Sequence, residues 1–199
     1  MPLHFQPERT SNPEGGPHYD QLEVALHLRR LLPATHHLAI REHPSQFMMM
    51  RNALGYRSLN YYRALGSAEG VTLVSTKEDP FEVMDASAEL VTIAGNAALE
   101  AVLRGTPASY LGQPWFRGAP GVVARNDDRN PPWGDAVPRD VKPALRAFLQ
   151  GRVARQPLAA ISPSNSAYWK ATAGFDNAQA QPEIMAQTVV AAVRNTQRR

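Results

Sequence analysis

Apolar residues recur at helical spacing over residues 19–32, where Leu22, Ala25, Leu26, Leu28, Leu31 and Leu32 make a broad stripe. Short apolar runs alternate with such stripes along much of the chain. Leu3 to Phe5 reads as a first strand, ended by Gln6-Pro7-Glu8-Arg9, and a loop rich in Pro, Gly, Ser and Asn continues to Gly16. His37 to Arg41 reads as the next strand, with Leu38 and Ile40 on one face and Pro44 as terminator. A helix follows from Tyr56 to Leu65, with Gly66 as its expected C-cap. Val71 to Val74 is a strand. Asp79-Pro80-Phe81-Glu82 is a helix start, with a capping carboxylate, a proline for the first turn and an acidic residue at the capping-box position. Leu90 to Ala94 is a strand, Asn96 to Arg104 a helix closed by Gly105, and Pro107 to Leu111 a short strand.

After Leu111 the pattern loosens. Residues 112–137 read as a long loop holding a short strand at Gly121 to Ala124, and Val141, Leu145, Phe148 and Leu149 mark a further helix. Residues 155–180 are polar and weakly patterned; a last helix starts near Pro182 and uses Ile184, Val189 and Val193. Strand and helix thus alternate about four times, which predicts an α/β fold of three layers, a mostly parallel sheet with helices on both faces, Rossmann-like in type. A closed barrel needs more repeats than this chain carries. The expected organisation is one such domain over residues 1–154, with residues 155–199 a crossing segment and helix packed on it.

Composition narrows the function. Among 199 residues, 43% are hydrophobic and 20% charged, which excludes disorder throughout. The absence of cysteine excludes a disulfide framework, a cysteine nucleophile and a thiolate metal site. The formal charge is +3, and only three of the 21 basic residues are lysines. The arginines are dispersed, so no nucleic-acid partner is expected. No apolar run reaches roughly 18 residues, so no membrane span is expected. The start does not read as a signal peptide. The expected location is the cytoplasm, with peripheral attachment at the inner face of the cell membrane as the alternative. The histidine and aspartate spacings fit neither a zinc motif nor an EF-hand, and no metal or cofactor is expected. The absence of GxxxxGK[ST], GxGxxG and GxSxG weighs against an ATPase, a dinucleotide dehydrogenase and a hydrolase.

In an open parallel sheet, ligands bind beyond the C-terminal strand ends. The strongest local pattern there is Gly95-Asn96-Ala97-Ala98-Leu99-Glu100, a tight turn into a helix whose first N–H groups can hold phosphate oxygens. Glu100, one turn on, can accept from ribose hydroxyls; the alternative is a capped helix packed on the sheet with Glu100 in solvent. His43-Pro44 follows directly on a strand, where the imidazole can donate to phosphate or stand as a surface histidine. Glu8 and Glu42 end the first two expected strands, which places them side by side on a pocket rim to orient a sugar hydroxyl or act as base. Arg9, Arg41 and Arg57 are the nearest guanidiniums for a diphosphate or carboxylate. Gln113-Pro114-Trp115-Phe116-Arg117-Gly118 is a loop whose aromatics can close over a base or sugar ring, or bury the loop itself.

Together these pieces resemble a known family. The residues are Pro2 through Arg9, Arg41-Glu42-His43-Pro44-Ser45-Gln46-Phe47, Arg57 through Tyr62, Gly95 through Ala101, Gly105-Thr106-Pro107 and Gly112 through Gly118. In order and spacing, over residues 2–123, they are similar to the C-terminal, donor-binding half of GT-B glycosyltransferases. The nearest group is the bacterial capsule and surface-polysaccharide biosynthesis proteins with a Kdo-transferase-like His-Pro motif. The resemblance implies that His43 contacts the phosphate of a nucleotide-activated sugar. It implies that Gly95 and Asn96 lie under that phosphate, and that Glu100 holds ribose or sugar. The catalytic set expected on this footing is Glu8, Glu42 and His43. The donor-binding set is Arg9, His43, Arg57, Gly95, Asn96, Glu100 and Gln113. Expected partners are a nucleotide sugar, a saccharide or glycolipid acceptor, and either an N-terminal half supplied elsewhere or a second copy of the chain. Full enzymes of this family are about twice as long, so the resemblance implies that the acceptor half is missing. The competing readings are a non-catalytic nucleotide-sugar-binding or assembly subunit and, further off, a sugar-nucleotide epimerase or hydrolase.

Overall fold

The structure, a computed structural model, describes residues 1–7, 11–48, 55–125, 133–134 and 141–153. The chain divides into two compact units, Met1–Leu145 and Arg146–Arg199. The expected crossing segment and last helix lie outside the described residues.

Local chemistry accounts for most of the elements. Helix α1 (Gln21–Leu31) starts where the Asp20 carboxylate accepts from the Leu22 and Glu23 amides, and it buries Gln21, Val24, Ala25 and Leu28. Strand β1 (Leu38–Arg41) alternates buried and half-buried positions. A short helix α2 (Ser45–Met48) follows, then α3 (Leu59–Ser67), capped by the Ser58 hydroxyl on the Tyr61 amide. The expected stop at Gly66 is not observed: α3 runs past it, and its C-cap is Ala68. Gly66 instead faces β2 (Val71–Val74), where a Cβ would already touch Leu73 at 3.6 Å. The left-handed turn into β2 is made by Gly70, at φ 72°.

Helix α4 (Pro80–Asp85) is capped by Asp79 on the Phe81 amide, as its sequence predicts. Strand β3 (Leu90–Thr92) leads into α5 (Ala97–Arg104), which Gly105 closes at φ 98°. Strands β4 (Ala108–Tyr110) and β5 (Val122–Ala124) follow, then α6 (Val141–Val153).

The described strands form two parallel sheets, β1–β2 and β3–β4–β5, rather than the single sheet expected. The difference lies in residues 1–6. Pro2 makes only an isolated parallel bridge to Arg41, with the Leu3 amide on the Arg41 carbonyl at 2.8 Å. Beyond Leu3 the chain leaves that ladder, so the predicted first strand is a bridge and not a strand.

Leu3 is nevertheless core. It packs with Val24, Ala25 and Leu28 of α1, Leu38 and Ile40 of β1, Leu65 of α3, and Val91 and Ile93 at β3. The N-terminal segment therefore joins the hydrophobic sides of the two sheets. Helix α5 packs on β3 and β4 with Ala98, Leu99, Ala101 and Val102 buried. The result is a small mixed α/β domain, two parallel sheets flanked by helices in a Rossmann-like arrangement.

Candidate functional site

The site begins with residues 4–6. A backbone that leaves a ladder must place its N–H and C=O groups elsewhere. Here two glutamines take them. Gln21 of α1 accepts from the His4 amide at 2.7 Å and donates to the His4 carbonyl at 3.2 Å. Gln46 of α2 accepts from the Gln6 amide at 2.8 Å and donates to the Gln6 carbonyl at 3.5 Å. A primary amide carries the same donor and acceptor as a peptide group, so each glutamine stands in for a neighbouring strand. Both are buried. Gln21 in an otherwise apolar stripe is the signal from which this clamp was legible.

Glu42, at the end of β1, is buried and fully engaged. Its Oε2 accepts from Arg57 Nε at 2.9 Å and from the Tyr62 hydroxyl at 2.8 Å, and its Oε1 accepts from the His43 amide at 2.8 Å. Arg57 also donates through Nη2 to the His4 carbonyl at 3.0 Å, and its guanidinium lies 4.6 Å from the Tyr61 ring centre. Burial, then the hydrogen bond to Glu42, raises the Tyr62 pKa, so the phenol stays a donor. A carboxylate with three donors holds Arg57 and the His43 turn. It is poorly arranged to take a proton from a substrate, which bears against the sequence reading of Glu42 as base.

His43 is exposed, with its ring 6.2 Å from that of Phe5. Its Nδ1 accepts from the Ser45 amide at 3.2 Å. In the neutral ring that bond leaves the proton on Nε2, so His43 presents a donor to anything bound beyond β1.

His4 connects this cluster to β3. It is 6% exposed, and its Nε2 lies 3.2 Å from the buried Thr92 hydroxyl, which also accepts from the Gly95 amide at 3.1 Å. A Cβ on Gly95 would stand 2.6 Å from His4 Cε1, so only glycine fits against this ring. Burial, with His43 and Arg57 nearby, brings the His4 pKa down to about 4. The His4 imidazole thus meets the end of β3, while its backbone carbonyl is tied through Arg57 to Glu42 at the end of β1.

Asn96 stands at the N-cap of α5 but does not cap it. Its Oδ1 accepts instead from the Trp115 indole N–H at 2.8 Å. Among the described residues, the amides of Asn96 and Ala97 make no hydrogen bond. Of the aromatic pair, Phe116 is wholly buried edge-on to Tyr110, and only Trp115 reaches the α5 start. Gln113 is exposed and accepts from Arg117 at 2.9 Å, while its amide donates to the Glu14 carbonyl at 2.7 Å.

Glu100 is exposed and lines a different cleft of about 100 Å³, with Arg41, Ala97 and Met84 among its walls. Arg41 is tied through Nη2 to the Thr76 and Glu78 carbonyls, both at 3.0 Å. Of the residues named from sequence, His43 and Arg57 share one cluster with Glu42, and Gly95 and Asn96 join it through His4. Gln113 reaches it only by way of its neighbour Trp115, and Glu100 faces the other cleft. Glu8 and Arg9 lie outside the described residues. His4, Gln21, Gln46 and Thr92 are the site residues that sequence reasoning missed.

Two further features lie away from this site. Glu89 accepts from Ser109 Oγ at 2.5 Å, from Arg125 through Nε at 2.8 Å and Nη2 at 2.6 Å, and from the Gly134 amide at 2.9 Å. The Arg125 guanidinium stacks 3.8 Å from the Trp133 ring centre. A cavity of about 240 Å³ opens beside them at the N-terminal ends of β1 and β3, next to His36 and His37. Among the described residues, no cluster of three or more His, Cys, Asp or Glu could hold a metal ion, and no helix is long and apolar enough to cross a membrane.

Fold and site together define a Rossmann-like α/β domain with a polar cluster where β1 and β3 end. No family model, curated protein or solved structure matches the chain.

Proposed function

We propose that this chain is a glycosyltransferase, or its donor-binding half, transferring a sugar from a nucleotide-activated donor in the biosynthesis of a capsular or surface polysaccharide. One observation carries the reading: His4 touches Gly95 on one side and, through its carbonyl, accepts from Arg57, beside Glu42 and His43, on the other. On this reading the His43 Nε2–H and the amides of Asn96 and Ala97 face one anion, their two turns being linked through His4. They supply neutral donors for an anionic group, with the positive end of α5 behind them.

In the proposed step an acceptor hydroxyl oxygen bonds to the anomeric carbon. The bond from that carbon to the phosphate oxygen breaks, and its electron pair stays on the nucleotide phosphate. Donors already aimed at that oxygen stabilise the charge as it grows. The acceptor proton must pass to a base, and Glu42, holding three donors, is not that base. The saccharide or glycolipid acceptor is then held by another part of the assembly, either an N-terminal half or a second copy, and the base is Glu8 or a residue of that part.

The engagement of Glu42 also favours a second reading, a nucleotide-sugar-binding subunit without turnover. A ligand-detected binding screen over CMP, UDP, GDP and their sugars tests both. One nucleotide should bind saturably to the native chain and weakly to His43→Ala; binding of none contradicts both readings. Release of nucleotide from a bound sugar donor, once acceptor and partner are present, separates transferase from subunit.

A further inference from the structure

We infer that His4 is a positioning residue: its neutral imidazole turns the Thr92 hydroxyl so that this hydroxyl holds the Gly95 amide inward, leaving the amides of Asn96 and Ala97 as the outward donors of the turn. A threonine hydroxyl has one hydrogen. The Gly95 N–H can only donate, and it points at Thr92 Oγ1 from 3.1 Å, so a lone pair of that oxygen is used. Oγ1 keeps a second lone pair, but among the described residues no other acceptor meets the buried hydroxyl hydrogen, which is therefore directed to His4 Nε2 at 3.2 Å. That assignment puts the ring proton of His4 on Nδ1, the reverse of His43.

Thr92 is wholly buried and His4 nearly so, which leaves water little access to replace either partner. The contact with Gly95 acts in the same direction, because the ring fills the space a side chain there would need. A protonated His4 could not accept from Thr92. Among the described residues the neighbours oppose that state: the Arg57 guanidinium ahead of α3 donates to the His4 carbonyl, the His43 ring stands at the end of β1, and the charge of Glu42 is taken up by Arg57. The low pKa of His4 agrees with this arrangement.

The inference concerns the turn itself, and only its ligand arm rests on the nucleotide-binding reading. Nitrogen NMR of the native chain at neutral pH should find His4 Nε2 unprotonated and Nδ1 carrying the proton. His4→Leu keeps bulk without an acceptor, and should shift the Gly95 amide resonance and speed its hydrogen exchange about tenfold. His4→Gln offers an acceptor near the position of Nε2 and should restore most of the protection. Affinity for CMP, UDP or GDP, whichever the native chain binds, should fall in His4→Leu and recover in His4→Gln. A protonated Nε2 in the native chain overturns the inference, as does an unchanged Gly95 amide in folded His4→Leu. If His4→Leu does not fold, the tautomer of the native chain decides alone. If Gly95 responds as described and no nucleotide binds, the positioning role stands and the nucleotide reading fails.

Discussion

The Glu42 carboxylate and the Arg57 guanidinium meet at 2.9 Å with only 6% of either side chain exposed. Arg57 reaches on to the His4 carbonyl, so one buried ion pair ties the end of β1, the segment ahead of α3 and the N-terminal chain into one unit. Removing one member of such a pair strands the other charge in a poorly hydrated place. Arg57→Ala and Glu42→Ala should each cost about 3–5 kcal/mol, read as a lowered urea midpoint. Replacing both together should cost less than the sum. Independent, additive losses would show that the pair does not hold the site.

Gly95→Ala probes the packing of His4. The added methyl would lie 2.6 Å from the imidazole, and a ring clamped at its backbone by Gln21 has little room to retreat. Overpacking of this kind costs about 1–3 kcal/mol. The expected result is that loss in a urea titration, together with weakened nucleotide binding. A variant as stable as the native chain would mean that His4 does not press on the turn.

The pH dependence follows from His4. Its native pKa is about 4 against an ordinary 6.5, so between those values the unfolded chain binds a proton that the native chain refuses. Stability is intact above the ordinary value, falls as pH drops toward the native one, and levels off below it. The full loss is on the order of 3 kcal/mol. His4→Gln should lack this component. Urea midpoints from about pH 7 to about pH 4 should therefore fall more steeply for the native chain than for His4→Gln. Parallel profiles would contradict it.

Trp115→Phe keeps an aromatic ring but removes the N–H that occupies Asn96 Oδ1. The asparagine side chain is then released to rotate over the start of α5, beside the open Asn96 and Ala97 amides. Stability should stay within about 0.5 kcal/mol, while nucleotide affinity falls several-fold. Unchanged affinity would show that the Asn96 side chain has no bearing on the anion.

The parts of the fold legible in the sequence are those whose cause is local. Asp79-Pro80 starts α4 and Gly105 closes α5 because a cap or a left-handed turn needs only its neighbours. The Leu3–Phe5 strand failed because its backbone partners, Gln21 and Gln46, belong to helices far along the chain. Gly66 does not end α3 because glycine signals a close approach, here to Leu73, as readily as a helix stop. At the site, the loops that carry His43 and Gly95 followed from strand-end logic. The saturation of Glu42 did not, since Arg57 and Tyr62 stand 15 and 20 residues away. His4 looked like one more residue of a strand, and only the placement of Thr92 beside Gly95 gives its ring a task.

A nucleotide phosphate resting where β1 and β3 end is the central proposal. The direct measurement is an amide and imidazole NMR titration of the full chain with CMP, UDP and GDP in turn. One nucleotide should shift the Asn96 and Ala97 amides and the His43 ring together along a single saturable curve, with the Trp133 region unmoved. Shifts confined to the His36 and Trp133 cavity, or none with any nucleotide, would contradict it.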